Sequence, residues 1–187
     1  MTLNKRTIAI VAGGDSGEYE VSLRSAEGIT SFLDKERYTI YTVIIRGTEW
    51  NALLPDGNTA PVDRNDFSFM HDGQKVKVDY AYITIHGTPG ENGLLGSYFE
   101  LIRMPYSTCP PLISAMTFNK FVLNQYLRSL GVRVAESLTL RRQDRLLPRR
   151  VEQTGRQFPQ STPDGMPILL DHGHSVLIVD GQNPDRA

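Results

Sequence analysis

Residues 8–12 (IAIVA) form an unbroken apolar run that ends at Gly13 and Gly14, the pattern of a strand buried on both faces. The apolar residues that follow, Val21, Leu23, Ala26, Ile29, Phe32 and Leu33, fall at helical spacing. Residues 38–45 return to β-branched and aromatic side chains, so the sequence reads strand, helix, strand. Such a βαβ unit implies a parallel pair joined by a right-handed crossover. An α/β fold follows. Asp15 and Glu18 are spaced as a D-x-x-E variant of a capping box at the start of the helix.

Further along, residues 46–79 are polar, with turn signals at Pro55-Asp56-Gly57 and at Asp72-Gly73. They are expected to form turns and short edge strands rather than core. Residues 80–85 read as a third buried strand, 94–102 as a short helix, and Pro105-Tyr106 as a brief extended piece. Across 117–130, Phe118, Phe121, Val122, Leu127 and Leu130 share one helical face, and Gly131 supplies a C-terminal stop. A last strand is expected over 132–140.

Beyond that the character changes. Arg141, Arg142, Arg145, Arg149, Arg150 and Arg156 crowd a stretch with few apolar residues, and 157–167 is polar with three prolines. The organisation expected is a Rossmann-like parallel sheet with flanking helices over residues 1–140. An irregular tail over 141–187 follows, in which 168–170 and 176–179 pair as a β-hairpin.

With 187 residues, 40% hydrophobic and 22% charged, the composition is that of a soluble globular protein. The net charge of −1 gives no electrostatic footprint for nucleic acid or an anionic membrane. No stretch approaches the ~18 apolar residues of a membrane span. The run after Lys5 and Arg6 is too short for a signal peptide core. Cys109, the single cysteine, excludes an internal disulfide and fits a reducing compartment. With no charged neighbour, it reads as an unreactive loop residue. A cytoplasmic protein is expected.

Two loops carry the chemistry, each directly after a buried parallel strand, where open α/β sheets bind their ligands. The first spans residues 13–22 (GGDSGEYEVS). Its glycines let backbone amides face a ligand, yet it is neither G-x-G-x-x-G nor a P-loop. Glu18 and Glu20 put negative charge where a phosphate would go, which suits a cationic group such as an amino-acid ammonium. They would equally serve to complement the helix dipole. The second loop spans 86–93 (HGTPGENG). His86 and Glu91 are candidates there, His86 as a donor to a carboxylate or a developing oxyanion. Both would also serve simply to brace their own loop.

Together the motifs G-G-x-S-x-E-x-E-V-S-L-R-S-A and H-G-x-x-G-E-N-G resemble the D-alanine–D-alanine ligases of the ATP-grasp superfamily. The resemblance continues through residues 102–106 and the helix containing Asn119 and Lys120, and ends near Leu140, about three quarters of the way along the chain. It implies a pre-ATP-grasp substrate-binding domain over residues 1–140. It also implies ATP-dependent formation of D-alanyl-D-alanine, used in peptidoglycan synthesis, with ATP and Mg2+ as cofactors and D-alanine as substrate. Glu18 matches the glutamate that holds the ammonium of the first D-alanine, and His86 the histidine beside the substrate carboxylate; these two are the catalytic candidates. Ser22 and Glu91 match supporting substrate-site positions, Ser22 as a cap or support and Glu91 as the loop partner of His86. Lys120 matches a lysine that contacts nucleotide phosphates. Such ligases are often dimers, so a homodimer is compatible with the family.

The chain departs from the family in places. Leu95-Gly96-Ser97 stands where L-Q-G is usual, so an altered helix start is expected, and Asn92 replaces an aspartate. The G-L-P-x-x-x-K-P segment and the glycine- and serine-rich phosphate loop are not found after residue 140, and 143–187 contain no lysine. His172 and His174, with Asp171 and Asp180, invite a metal reading, but no third ligand follows at convincing spacing, which favours a turn. The expectation is a truncated, frame-slipped or excised ligase polypeptide, inactive alone. A non-catalytic D-alanine-binding module is the alternative. The acidic first loop disfavours a redox or nucleotide-binding Rossmann domain.

Overall fold

A computed structural model describes residues 5–135, 137–140 and 176–179. The apolar run becomes strand β1 (Arg6–Gly13), followed by helix α1 (Tyr19–Phe32) and strand β2 (Tyr38–Arg46). Strand β7 (Tyr80–Ile83) lies on the other side of β1, and both neighbours are parallel to it. The extended piece expected at Pro105-Tyr106 is present, and there Ala81 continues the sheet through a parallel bridge to Tyr106.

The sheet is mixed rather than all parallel. Strands β3 (Glu49–Leu53) and β4 (Thr59–Pro61) add antiparallel to β2, giving the order β4-β3-β2-β1-β7. The cause is local. Only Gly47 and Thr48 separate β2 from β3, and a two-residue connection can only reverse the chain. Gly47 takes the left-handed backbone (φ 54°) that such a turn asks for.

Alternation along β1 divides its side chains between two layers. Ile8, Ile10 and Ala12 cluster with Ala26 of α1, with Leu23, Ile29 and Leu33 packed against them. Ala9 and Val11 point the opposite way, into a core with Val43, Ile45, Phe67, Leu95 and Phe99. Helix α2 (Leu94–Leu101) supplies Leu95 and Phe99. It forms despite the departure from L-Q-G, and Gly96 leaves room for the Tyr106 ring, which a Cβ would meet at 3.3 Å.

The excursion was expected to avoid the core, and it does not. Val62, Phe67, Phe69 and Val78 are all buried. Phe67 meets Phe99 edge-on with centroids 5.0 Å apart, and Trp50 meets Tyr98 at 5.0 Å. α2 alone does not cover this sheet face, so single apolar residues scattered through the polar stretch do so. Each such ring contributes about 1.5–3 kcal/mol on burial. The short hairpin β5 (Phe69–His71) and β6 (Gln74–Val76) closes the excursion.

Two compact units divide at Phe118 and Asn119. The first ends with helix α3 (Pro111–Phe118), which the sequence reading missed. The second holds α4 (Lys120–Ser129) and a pair of strands, β8 (Ser137–Leu140) and β9 (Val176–Val179). The single helix expected over 117–130 is thus interrupted. Asn119 is extended (φ −84°, ψ 97°), and its Oδ1 accepts the Val122 N–H at 3.1 Å, capping α4. The stop at Gly131 is as expected: Gly131 N–H donates to Arg128 O and Val132 N–H to Leu127 O, a Schellman closure. The last strand begins at Ser137, later than expected, and β9 pairs antiparallel with it. Residues 168–170, expected to pair with 176–179, lie outside the described residues, as do His172 and His174.

Candidate functional site

Gly13 and Gly14 end β1 at the carboxyl edge of the parallel strands, and both have positive φ (100° and 95°). Neither tolerates a side chain: a Cβ on Gly13 would lie 2.4 Å from Ile45 O, and one on Gly14 2.5 Å from Ile85 Cγ2. The loop is therefore pressed between β2 and the segment after β7. Gly14 N–H donates to Ile45 O at 2.8 Å, and Gly13 N–H to the Ser22 hydroxyl at 2.9 Å.

The capping box is not formed. Glu18 occupies the N-cap of α1 without a side-chain cap. Asp15 is turned elsewhere: its Oδ1 accepts Gly47 N–H at 2.7 Å, and its own N–H donates to Thr88 O at 2.9 Å. Asp15 thereby ties the β2–β3 turn and the second loop to the first. Tyr19 lies against Gly13, and the Arg46 guanidinium sits 4.8 Å from the centre of its ring. Glu18 is left exposed, its carboxylate with no hydrogen bond or ion pair among the described residues. Glu20 stands in the first turn, where it complements the helix dipole.

The second loop closes on itself. Glu91 N–H donates to Gly87 O at 2.7 Å, while Glu91 Oε2 accepts Gly87 N–H at 2.8 Å. Of the two readings offered for Glu91, bracing its own loop is what its carboxylate does here. Asn92, in place of the usual aspartate, donates through its amide to Thr88 Oγ1 at 3.0 Å, and its Oδ1 accepts Leu94 N–H at 3.2 Å. His86 is half-buried; its backbone carbonyl accepts the Ser16 hydroxyl, and its ring makes no hydrogen bond or ion pair among the described residues.

The loops meet at Ser16. Its hydroxyl donates to His86 O at 2.8 Å and accepts Glu18 N–H at 3.2 Å. Gly87 makes the approach feasible, because a Cβ there would lie 2.9 Å from the Cβ of Ser16. The structure thus brings the backbones of Glu18, His86 and Glu91 into one connected loop cluster. Ser22 is fully buried and supports Gly13 from below, leaving it no access to a ligand. Lys120 is the first residue of α4, in the second unit. Sequence reasoning did not single out Ser16, Tyr19 or Arg46; the S of the first motif was the one signal available for Ser16.

The described residues do not fit a magnesium–nucleotide site. No three His, Cys, Asp or Glu side chains among them could hold a metal ion. Lys120 is the single phosphate contact that the resemblance assigns, and one lysine does not cradle a triphosphate. No described helix is long and apolar enough to cross a membrane.

Residues 7–109 match the family model described as D-ala D-ala ligase N-terminus. The D-alanine–D-alanine ligase of Phocaeicola vulgatus is 65% identical over 138 residues, covering 74% of this chain and 43% of that protein. Among solved structures, D-alanyl-alanine synthetase A from Vibrio cholerae superposes with a TM-score of 0.68 at 30% identity, over 82% of this chain and 44% of the other. VanG D-Ala:D-Ser ligase from Enterococcus faecalis gives 0.69 at 27% identity, over 83% and 51%. The chain spans less than half the length of the curated relatives it matches.

Proposed function

Because the chain belongs to the D-alanine–D-alanine ligase family, matching its N-terminal part, we propose that it forms the subsite for the first D-alanine of an ATP-dependent ligase. Glu18 takes the substrate ammonium, and His86 faces the carboxylate. Ser22 and Glu91 act from behind, holding the first and second loops. The observation that carries this reading is the exposed Glu18 carboxylate at a helix N-cap, without a partner among the described residues and tied through Ser16 to the His86 loop. The Glu18 carboxylate suits a cationic group, and the His86 imidazole, carried by the second loop, suits an anion. A zwitterionic amino acid presents both.

Residues 1–140 are the segment we assign to this role, supported by the 138-residue alignment with the Phocaeicola relative. In the whole ligase, Lys120 would meet nucleotide phosphate, where ATP with Mg2+ would supply the phosphoryl group that activates one carboxylate and departs as phosphate when the second amine forms the peptide bond. Peptidoglycan synthesis in the cytoplasm, and a homodimer, belong to the same reading. For the 187-residue chain by itself, the reading is a ligase polypeptide inactive alone, with a non-catalytic D-alanine-binding module as the alternative.

Two measurements test this. Calorimetric titration with D-alanine should show binding at millimolar ligand, weakened at least tenfold by Glu18→Gln, the loss of one charged hydrogen bond. Equal heats for both proteins, or none for either, would sink the subsite. Incubation of the chain with ATP, Mg2+ and D-alanine should release phosphate only at the background rate. Release that depends on D-alanine would show a working ligase instead.

A further inference from the structure

We infer that Ser16 is a positioning residue for the amino-acid subsite, setting Glu18 and His86 at a fixed separation through one hydroxyl. This rests on the D-alanine reading given above. The two residues are carried by loops from different strands, 68 residues apart in sequence on Glu18 and His86 numbering, and nothing in either loop alone dictates their spacing. Among the described residues, Ser16 Oγ is the side-chain atom that hydrogen-bonds the backbone of both: it donates to His86 O and accepts from Glu18 N–H. The second bond orients the N-cap residue itself, and the first pins the carbonyl adjoining the His86 side chain.

The surroundings are built to that hydroxyl. Gly87 is left-handed (φ 71°) and has no room for a Cβ, which would lie 2.9 Å from Ser16 Cβ and 3.3 Å from its Oγ. Asp15, one residue earlier, fixes the loop from the other side through Gly47 N–H and Thr88 O. The backbone bond from Asp15 keeps the loops close when the hydroxyl is removed, so loss of Ser16 Oγ should loosen their register without unfolding them. Ser16 touches no ligand in this account; it acts through Glu18 and His86.

The test uses the full chain in three forms: wild type, Ser16→Ala and Ser16→Thr. In amide NMR spectra of the free proteins, Ser16→Ala should shift Glu18 and Gly87, whose N–H groups report on the two bonds, and reduce hydrogen-exchange protection at Glu18. Its D-alanine dissociation constant should rise about 3- to 10-fold, the scale of one or two hydrogen bonds. The Tm should stay within about 2 °C of wild type, and Ser16→Thr, which keeps the hydroxyl, should recover most of the affinity. Wild-type affinity in Ser16→Ala overturns the inference. So does weaker binding accompanied by lost protection throughout β1, β2 and β7, which would make Ser16 merely structural. If wild type fails to bind D-alanine, the subsite reading falls; unshifted Glu18 and Gly87 amides in Ser16→Ala would then reject the loop linkage as well.

Discussion

Ser22 lies in the same motif as Glu18 but does a different job. Its hydroxyl is completely buried, its oxygen accepts Gly13 N–H, and its carbonyl receives a bond from Thr84 Oγ1 at 3.3 Å. It joins α1 to the end of β1 and to the segment after β7. Removing the hydroxyl would strand a buried N–H, which costs about 1–3 kcal/mol. Ser22→Ala should therefore lower the urea midpoint by an amount equivalent to about 1–3 kcal/mol at unchanged m-value. A midpoint that does not move would show that Gly13 N–H finds another partner. The motif alone placed Ser22 in a supporting role but gave no means of separating it from Ser16. That distinction depends on which hydroxyl faces the core and which bridges two loops, and neighbours brought from residues 84–87 decide it.

Elements were legible where a pattern has one physical reading. β1, α1, β2 and β7 follow from unbroken or helical apolar spacing, and Gly131 from the need for a left-handed residue after a helix. The helices after residue 110 were harder. Apolar residues across 117–130 keep helical phase through Asn119, so periodicity cannot show the break; the Asn side chain does, by taking Val122 N–H in place of helix backbone. Pro111–Phe118 has little polar character on any face, with Leu112 76% exposed and Ile113 42%, so amphipathic spacing gives no signal. If Asn119 is a true cap, Asn119→Ala should cost α4 about 0.5–2 kcal/mol, seen as faster hydrogen exchange at Val122 and Leu123 with the first unit unaffected. Unaltered exchange would mean that the helices merge. α2 offers a second check at high pH. The Tyr98 hydroxyl donates to Arg64 O, and burial, then the nearby Asp63 and Asp66, push its pKa up to about 12. The folded state favours the neutral phenol, so this contribution is whole below pH ~10 and lost as pH rises towards 12. Stability of Tyr98→Phe, followed by urea unfolding from pH 9 to 12, should decline less steeply than wild type; parallel curves would contradict the shift.

At the scale of the whole chain, the parallel strands and the edge that carries the loops could be read in advance, because both follow from βαβ chirality and strand polarity. The antiparallel pairing could not: short edge strands were expected over 46–79, but their direction depends on a two-residue turn at Gly47-Thr48. The change of composition after Arg141 was equally visible, yet compact packing divides earlier, at Phe118 and Asn119. Every strand of the five-stranded sheet, both hydrophobic clusters and both candidate loops lie before that point. Residues 1–118 should thus fold alone. Expressed as that fragment, the protein should unfold in one cooperative urea transition, and the amides of Glu18 and Gly87 should resonate as they do in the full chain. Those two amides matter more than the transition, since a stable sheet with displaced loops would keep the first result and lose the second. A fragment that unfolds without cooperativity would show that residues beyond 118 complete a core that the first unit lacks.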